Sequence, residues 1–341
     1  MRLSPLWQRR LAVFAAHRRG RVSLYVFAVV FVVSMAANFI ANDKPLLLDY
    51  QGRLYVPAVQ FIPETIFGTQ FLPTEADFTN PTIKAVIAAH GWALWPPIPY
   101  SYDTIVWDAG PVAPSPPSWR NWLGTDEVSR DVLARVIYGL RLSILFGFGL
   151  TIVASAVGIV AGAVQGFYGG LTDLLFQRFI EIWSGMPQLF LLIILASIIA
   201  PSFWVLLLFL LLFSWMALTG VVRAEFLRAR NLDYVRAAKA LGVPDWRIML
   251  RHMLPNAMIA TLTFLPFILS DSVTVLASLD FLGFGMPPGS PSLGELVSEA
   301  KNNLQAPWLA FTAFATLGGV LILLIFIGEA VRDSFDPRKT Q

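Results

Sequence analysis

The sequence predicts an all-α membrane protein of six transmembrane helices. A long insert follows the first span, and a polar cytosolic loop separates the fourth from the fifth. Three observations predict this. Of 341 residues, 56% are hydrophobic and 14% are charged, against about 45–50% and about 25% in soluble domains. The apolar residues fall into runs of about 20, the length that crosses the hydrocarbon core. Lysine and arginine gather in a few segments between those runs, as the positive-inside rule requires.

Residues 1–21 form a basic leader with Arg2, Arg9, Arg10, Arg18, Arg19 and Arg21, expected in the cytosol. Val22–Ala41 is the first span. Its apolar run exceeds the roughly 7–15 residues of a signal-peptide core, and further spans follow, so it reads as a retained anchor. The remaining spans are Ser143–Phe167, Phe176–Ala200, Phe203–Val222, Ala257–Ala277 and Leu309–Val331. Arg178, the basic residues from Arg223 to Arg251, and the tail Arg332, Arg338 and Lys339 then share the side of the leader. Both termini are expected in the cytosol.

The insert, residues 42–142, is therefore extracytoplasmic. Pro96-Pro97, Pro99, Pro114 and Pro116-Pro117 prevent long helices. Short strands such as Arg53–Val59 are compatible with it. The insert reads equally as a small cap on the outer face or as a docking surface for a soluble partner. In its last part, Thr125 or Asp126 can cap a helix. Val128, Val132, Leu133, Val136 and Ile137 fall on one face at helical spacing, which predicts an interfacial helix before the second span.

The five-span core covers residues 143–331 and includes the loop 223–256; residues 332–341 form the tail. Gly158, Gly162 and Gly166 of the second span have the four-residue spacing of closely packed membrane helices. They serve packing within this subunit or contact with a second one. Pro187 and Pro266 remove backbone hydrogen bonds and allow kinks. Glu181 and Glu329 lie near the cytosolic ends of their spans, and Asp271 is the one acid placed deep within a span. Such an acid faces the bundle interior or a wet cavity. It pairs with a donor of this subunit, the preferred reading, or meets a cationic group on cargo along the substrate path.

Several chemistries are excluded. The chain has no cysteine, hence no disulfide, zinc–thiolate site or cysteine nucleophile. His17, His90 and His252 lack a second ligand at helical spacing, so no metal centre is expected. No G-x-x-x-x-G-K-[ST] string is present, so ATP is not held by a P-loop of this chain. There is no G-x-S-x-G elbow and no histidine within a span for a Ser-His hydrolase. No catalytic residues are assigned, and no relay of acids and histidines supports the rival class, a self-contained secondary transporter or channel.

The loop 223–256 carries the strongest signal. Asp233 or Asn231 caps a short helix whose one side bears Tyr234, Ala237, Ala238 and Leu241. Gly242 supplies a positive-φ stop, Pro244 suits the first turn of a second helix, and Leu254-Pro255 leads back into the membrane. Such a hairpin lies against lipid headgroups or seats in a groove of a cytosolic partner.

Ala237-Ala238-x-x-x-Gly242 followed by Leu254-Pro255 resembles the EAA loop of ABC importer permeases. Arg236 stands where that pattern has glutamate, and His252 where it has isoleucine. Gly124-Thr-Asp-Glu-x-x-Ser-Arg-Asp-Val-Leu-Ala-Arg-x-Ile-Tyr-Gly139 and Leu279-Asp-Phe-Leu-Gly-Phe-Gly-Met-Pro-Pro-Gly-Ser-Pro-Ser-Leu-Gly294, with Ala306-Pro307-Trp308 after it, are similar to segments of the dipeptide and oligopeptide permeases. The long insert and Ala41-Asn-Asp-Lys-Pro-Leu-Leu47 look closest to the Yej-type importers.

The resemblance implies a transport subunit rather than an enzyme, in the bacterial inner membrane. Asp233, Tyr234, Ala237, Ala238, Leu241, Gly242, Leu254 and Pro255 would couple it to a cytosolic ATPase. The chain itself would bind no cofactor, ATP and Mg belonging to that ATPase. It implies a second permease as heterodimer partner and a periplasmic peptide-binding protein. Membrane lipid surrounds the chain and no nucleic acid is involved. The implied cargo is a peptide or a peptide conjugate such as microcin C.

Overall fold

The computed structural model describes residues 5–68, 74–107 and 112–336. In chain order the helices are α1 (Pro5–Ala16), α2 (Arg18–Met35), α3 (Ala37–Ile40), α4 (Pro81–His90), α5 (Val132–Tyr168), α6 (Gly170–Ser184), α7 (Gln188–Ile198), α8 (Phe203–Ser214), α9 (Met216–Ala229), α10 (Asp233–Ala240), α11 (Asp245–Arg247), α12 (Leu254–Phe281), α13 (Leu293–Asn302) and α14 (Pro307–Phe335). Three short strands, β1 (Leu47–Tyr50), β2 (Arg53–Tyr55) and β3 (Gly91–Leu94), lie in the insert. Two compact units result, one from residues 1–28, 143–287 and 317–341, the other from 29–142 and 288–316.

Four helical runs are long and apolar enough to cross a membrane: Val132–Tyr168, Phe203–Ala229, Asp245–Phe281 and Pro307–Phe335. A fifth is obtained if the bent pair α6 and α7 counts as one span. The expected third span, Phe176–Ala200, is thus not a straight helix. Gly185 ends α6, Pro187 starts the next segment, and the two halves meet at 72°. Proline cannot donate the bond that would continue the first half. The expected first span lies mainly in α2, whose first turn carries Arg18, Arg19 and Arg21.

In the first unit, close packing replaces the hydrophobic effect as the source of helix association, as membrane helices require. A Cβ on Gly158 or Gly162 would come within 2.5 Å of the carbonyl oxygens of Trp215 and Thr219, and one on Gly166 within 2.7 Å of that of Arg223. The glycine row of α5 therefore packs against the α8–α9 helix of the same chain, which decides between the two expectations. Arg223 closes a bidentate ion pair on Asp173, with Nε–Oδ1 at 2.5 Å and Nη2–Oδ2 at 2.7 Å.

The second unit has its own small core. β1 pairs antiparallel with β2 and β3 in the order β2-β1-β3. Leu48, Tyr50, Ile62, Phe67, Phe78, Ile83 and Ile87 pack beneath it, with Ile83 and Ile87 coming from α4. Asn80 caps α4 by accepting from the amide of Thr82, and Pro81 sits at its first position. The strand expected at Arg53–Val59 stops at Tyr55, ahead of Pro57.

The interfacial helix expected before the second span does not form as a separate element: Val132, Leu133, Val136 and Ile137 belong to α5, and Val128 lies outside it. Gly124 and Ser129 take positive φ, so residues 121–130 form turns rather than a helix. Asp126 Oδ1 accepts from the amides of Val128 and Arg130 within those turns. The residue that caps the following helix is Asp131, through the amide of Ala134. From Val132 the helix runs unbroken into the span.

These turns are tied to α13 by a buried ionic cluster. Arg135, fully buried, donates to Asp126 and Glu299, both at 2.6 Å, and to Glu295 at 2.9 Å. Arg130 joins Asp126 at 2.7 Å and Glu299 at 3.1 Å. Three carboxylates face two guanidiniums, and Glu299 Oε2 has no partner among the described residues. Burial, opposed by Arg135 and reinforced by Asp126, raises the Glu299 carboxyl to about 7.

Candidate functional site

The polar loop is more helical than its sequence suggests. The α9 helix carries Arg223 and Arg228 before it ends at Ala229, and a tight turn leads into α10. Asp233 does not cap α10. The cap position is Leu232, with no side-chain bond, and Asp233 lies in the first turn, where its charge suits the helix dipole. At the other end, the amide of Val243 donates to the Ala238 carbonyl and that of Gly242 to the Lys239 carbonyl. Gly242 sits at φ +71°, a Schellman stop that a Cβ would strain.

Pro244 occupies the cap position of α11, its carbonyl accepting from the amides of Arg247 and Ile248. The second helix is not separate from the membrane segment. It continues through a π-helical stretch, Ile248–Met253, into α12. Pro255 explains the wide turn: its nitrogen cannot donate to the Arg251 carbonyl and its ring crowds it. The Leu254 amide bonds instead to Met249, five residues back.

The expected face Tyr234, Ala237, Ala238 and Leu241 is divided. Val235 and Ala238 are buried, packed with Phe167, Phe226, Ile248 and Met253. Lys239 lies over the Phe167 ring at 4.3 Å. These contacts clip α10 to the end of the helical bundle. Tyr234, Ala237 and Leu241 point outward, Leu241 with 82% of its surface exposed. A Cβ on Gly242 would meet nothing within 4 Å. Arg236 is exposed and has no acidic partner among the described residues. Leu254 is half-buried against the same core, and Pro255 is exposed.

Beside this face opens a cavity of about 630 Å3. Leu232 and Tyr234 line it together with Glu225, Arg228, Asn256 and Arg332. Sequence reasoning missed it, because its walls come from three separated segments. Asp271 lies elsewhere on α12, exposed and without a partner among the described residues. The preferred expectation of a donor within the subunit is therefore not met. Among the described residues, no group of three His, Cys, Asp or Glu side chains could hold a metal ion.

Residues 154–341 match the family of binding-protein-dependent transport system inner membrane components, and the chain belongs to that family. It is the permease subunit of an ABC importer, a multi-pass protein of the inner membrane, closely related to YejE. It is 56% identical to the peptidoglycan transport system permease protein YejE of Agrobacterium fabrum, over 99% of this chain and 94% of that one. It is 58% identical to the inner membrane ABC transporter permease protein YejE of Escherichia coli, over 99% of both. The dipeptide transport system permease protein DppC of Haemophilus influenzae is 33% identical over 66% of this chain and 79% of its own.

Proposed function

We propose that this permease crosses the membrane six times with both termini in the cytosol, and that α10 is the coupling helix on which a cytosolic ATPase acts. The segment around 22–41 is the first span, and the bent pair α6–α7 is the third. Residues 42–142 and the Leu279–Trp308 stretch face the periplasm, where a peptide-binding protein delivers cargo. A second permease completes the path as a heterodimer. The cargo is a peptide or a peptide conjugate, a class that includes microcin C. The family and the peptide permeases among the relatives support this reading. Asp271, exposed and unpaired, is the acid of the spans best suited to meet a cationic group of the cargo.

One observation carries the coupling role: α10 is fixed through Val235 and Ala238 while Tyr234, Ala237 and Leu241 remain uncovered. A helix anchored on one face and apolar on the other fits a groove in a partner. The unit clipped together by Val235 then transmits ATP-driven closure of the ATPase as a rigid-body change between two states.

The test is recovery of the complex from gently solubilised membranes through a C-terminal tag. Leu241→Glu alters a side chain that is mostly exposed. It should leave the chain inserted at normal level, yet lose both ATPase recovery and uptake. Val235→Asp should instead lower the level of the chain itself. Uptake unchanged by Leu241→Glu would remove α10 from the coupling role. Gradient-driven flux by the chain alone would favour a self-contained transporter.

A further inference from the structure

We infer that helix α1 and the start of α2 form a lipid-binding foot, which lies in the headgroup layer and grips anionic phospholipid. The observations begin with charge. No aspartate or glutamate occurs before Asp43, while arginines stand at 9, 10, 18, 19 and 21. Arg9, Arg18, Arg19 and Arg21 are exposed, and none has an acidic partner among the described residues. Arg10 is used internally, its guanidinium lying 5.3 Å from the Trp7 ring and 4.7 Å from that of Phe335.

Geometry supplies the second part. Gly20 packs against Ala330, and His17 Nε2 lies 3.9 Å from Asp333, so α2 runs antiparallel to the end of α14. Were α1 to continue that line, Trp7 would lie about 15 Å beyond His17 at the usual helical rise. Trp7 instead meets Phe335 edge-on at 5.8 Å, only two residues past Asp333. Helix α1 must therefore fold across the end of α14 rather than extend away from it. The amide of Gly20 donates to His17 Nδ1 at 3.1 Å and closes the corner.

A short helix lying across the end of a membrane helix sits where headgroups are. Trp7 and Leu11, one turn apart, expose apolar surface on it, as interfacial helices do toward the acyl boundary. The four unpaired guanidiniums offer planar donors that match phosphate oxygens. A basic cluster next to a membrane helix binds anionic lipid in preference to neutral lipid. The inference rests on the reading that α2 enters the bilayer.

The chain has no cysteine, so single labels are clean. Leu11→Cys and, separately, Val29→Cys in α2 would carry an environment-sensitive fluorophore, in full-length protein in nanodiscs. Each disc would contain spin-labelled phosphatidylglycerol or spin-labelled phosphatidylcholine at equal mole fraction. The label at residue 11 should be quenched several-fold more strongly by the anionic lipid. That excess should be lost when Arg9, Arg18, Arg19 and Arg21 are all changed to Gln, while the label at residue 29 stays quenched by acyl-chain spin labels. Equal quenching by the two lipids at residue 11, or none, with residue 29 still embedded, would overturn the lipid grip alone. An unquenched label at residue 29 would overturn the first-span reading itself.

Discussion

Arg135 and Glu299 show how much a single buried pair can decide. The guanidinium of Arg135 serves three carboxylates, and a buried charge without such partners would cost several kcal/mol. Glu299 is the odd acid, and its carboxyl rises from the ordinary 4.5 to about 7. Between these values the folded chain holds a proton that the unfolded chain has released. Stability therefore falls as pH rises through this window, by up to about 1.4 kcal/mol per pH unit where only the folded form is protonated. Melting of the protein in nanodiscs should show a midpoint that declines from pH 5 to pH 7, and Glu299→Gln should flatten the decline. An equal slope in both would mean that Glu299 does not carry it. Arg135 stands in the segment Gly124–Gly139 shared with the peptide permeases, but its pairing was not legible in the sequence, because Glu299 lies 164 residues away and outside any motif. Gly242 was legible, since a lone glycine after an amphipathic octet marks a helix stop wherever the helix packs. The division of α10 was not. Whether Ala238 faces in and Ala237 out depends on Phe167 and Phe226, which arrive from other segments.

At the scale of elements, hydropathy located four spans and the bent pair α6–α7, but not their ends or breaks. A window of apolar residues reports burial in lipid and is silent on where helical hydrogen bonding stops. Hence α5 begins at Val132, well before the apolar run, and α6–α7 breaks inside one. Ser129, a non-glycine residue at φ +62°, gives no sequence signal of the turn that delays the helix to Val132. The glycine row was visible, and the structure supplies its partner. Gly162→Leu would drive a side chain into the backbone of Thr219, a strain of about 1–3 kcal/mol or more. Gly220, with open space around it, should accept alanine with a gain of up to about 1 kcal/mol in helix propensity. Limited proteolysis of membrane vesicles should find the first variant cut faster and the second no faster than the parent. Equal resistance in both variants would show that α5 does not depend on this close approach.

For the whole molecule, the arginine distribution proposes an orientation that a pair of labels can test. Arg236→Cys and Trp119→Cys, both at exposed positions without native cysteine to confuse them, should react oppositely with a membrane-impermeant maleimide in intact cells whose outer membrane is permeabilised. Trp119→Cys should label, and Arg236→Cys should label only after lysis. The reverse pattern would invert the topology and move α10 away from any cytosolic ATPase. The helix that follows the α10 loop has one further property. The stretch Ile248–Met253 holds a residue more per turn than its neighbours, a length of slack kept in the shaft by Pro255. Taking it up would advance α12 by about 1.5 Å and twist it by about 100°. A sideways tug at one end of this rod would thus leave it as a screw motion, with the stroke set by a single surplus residue.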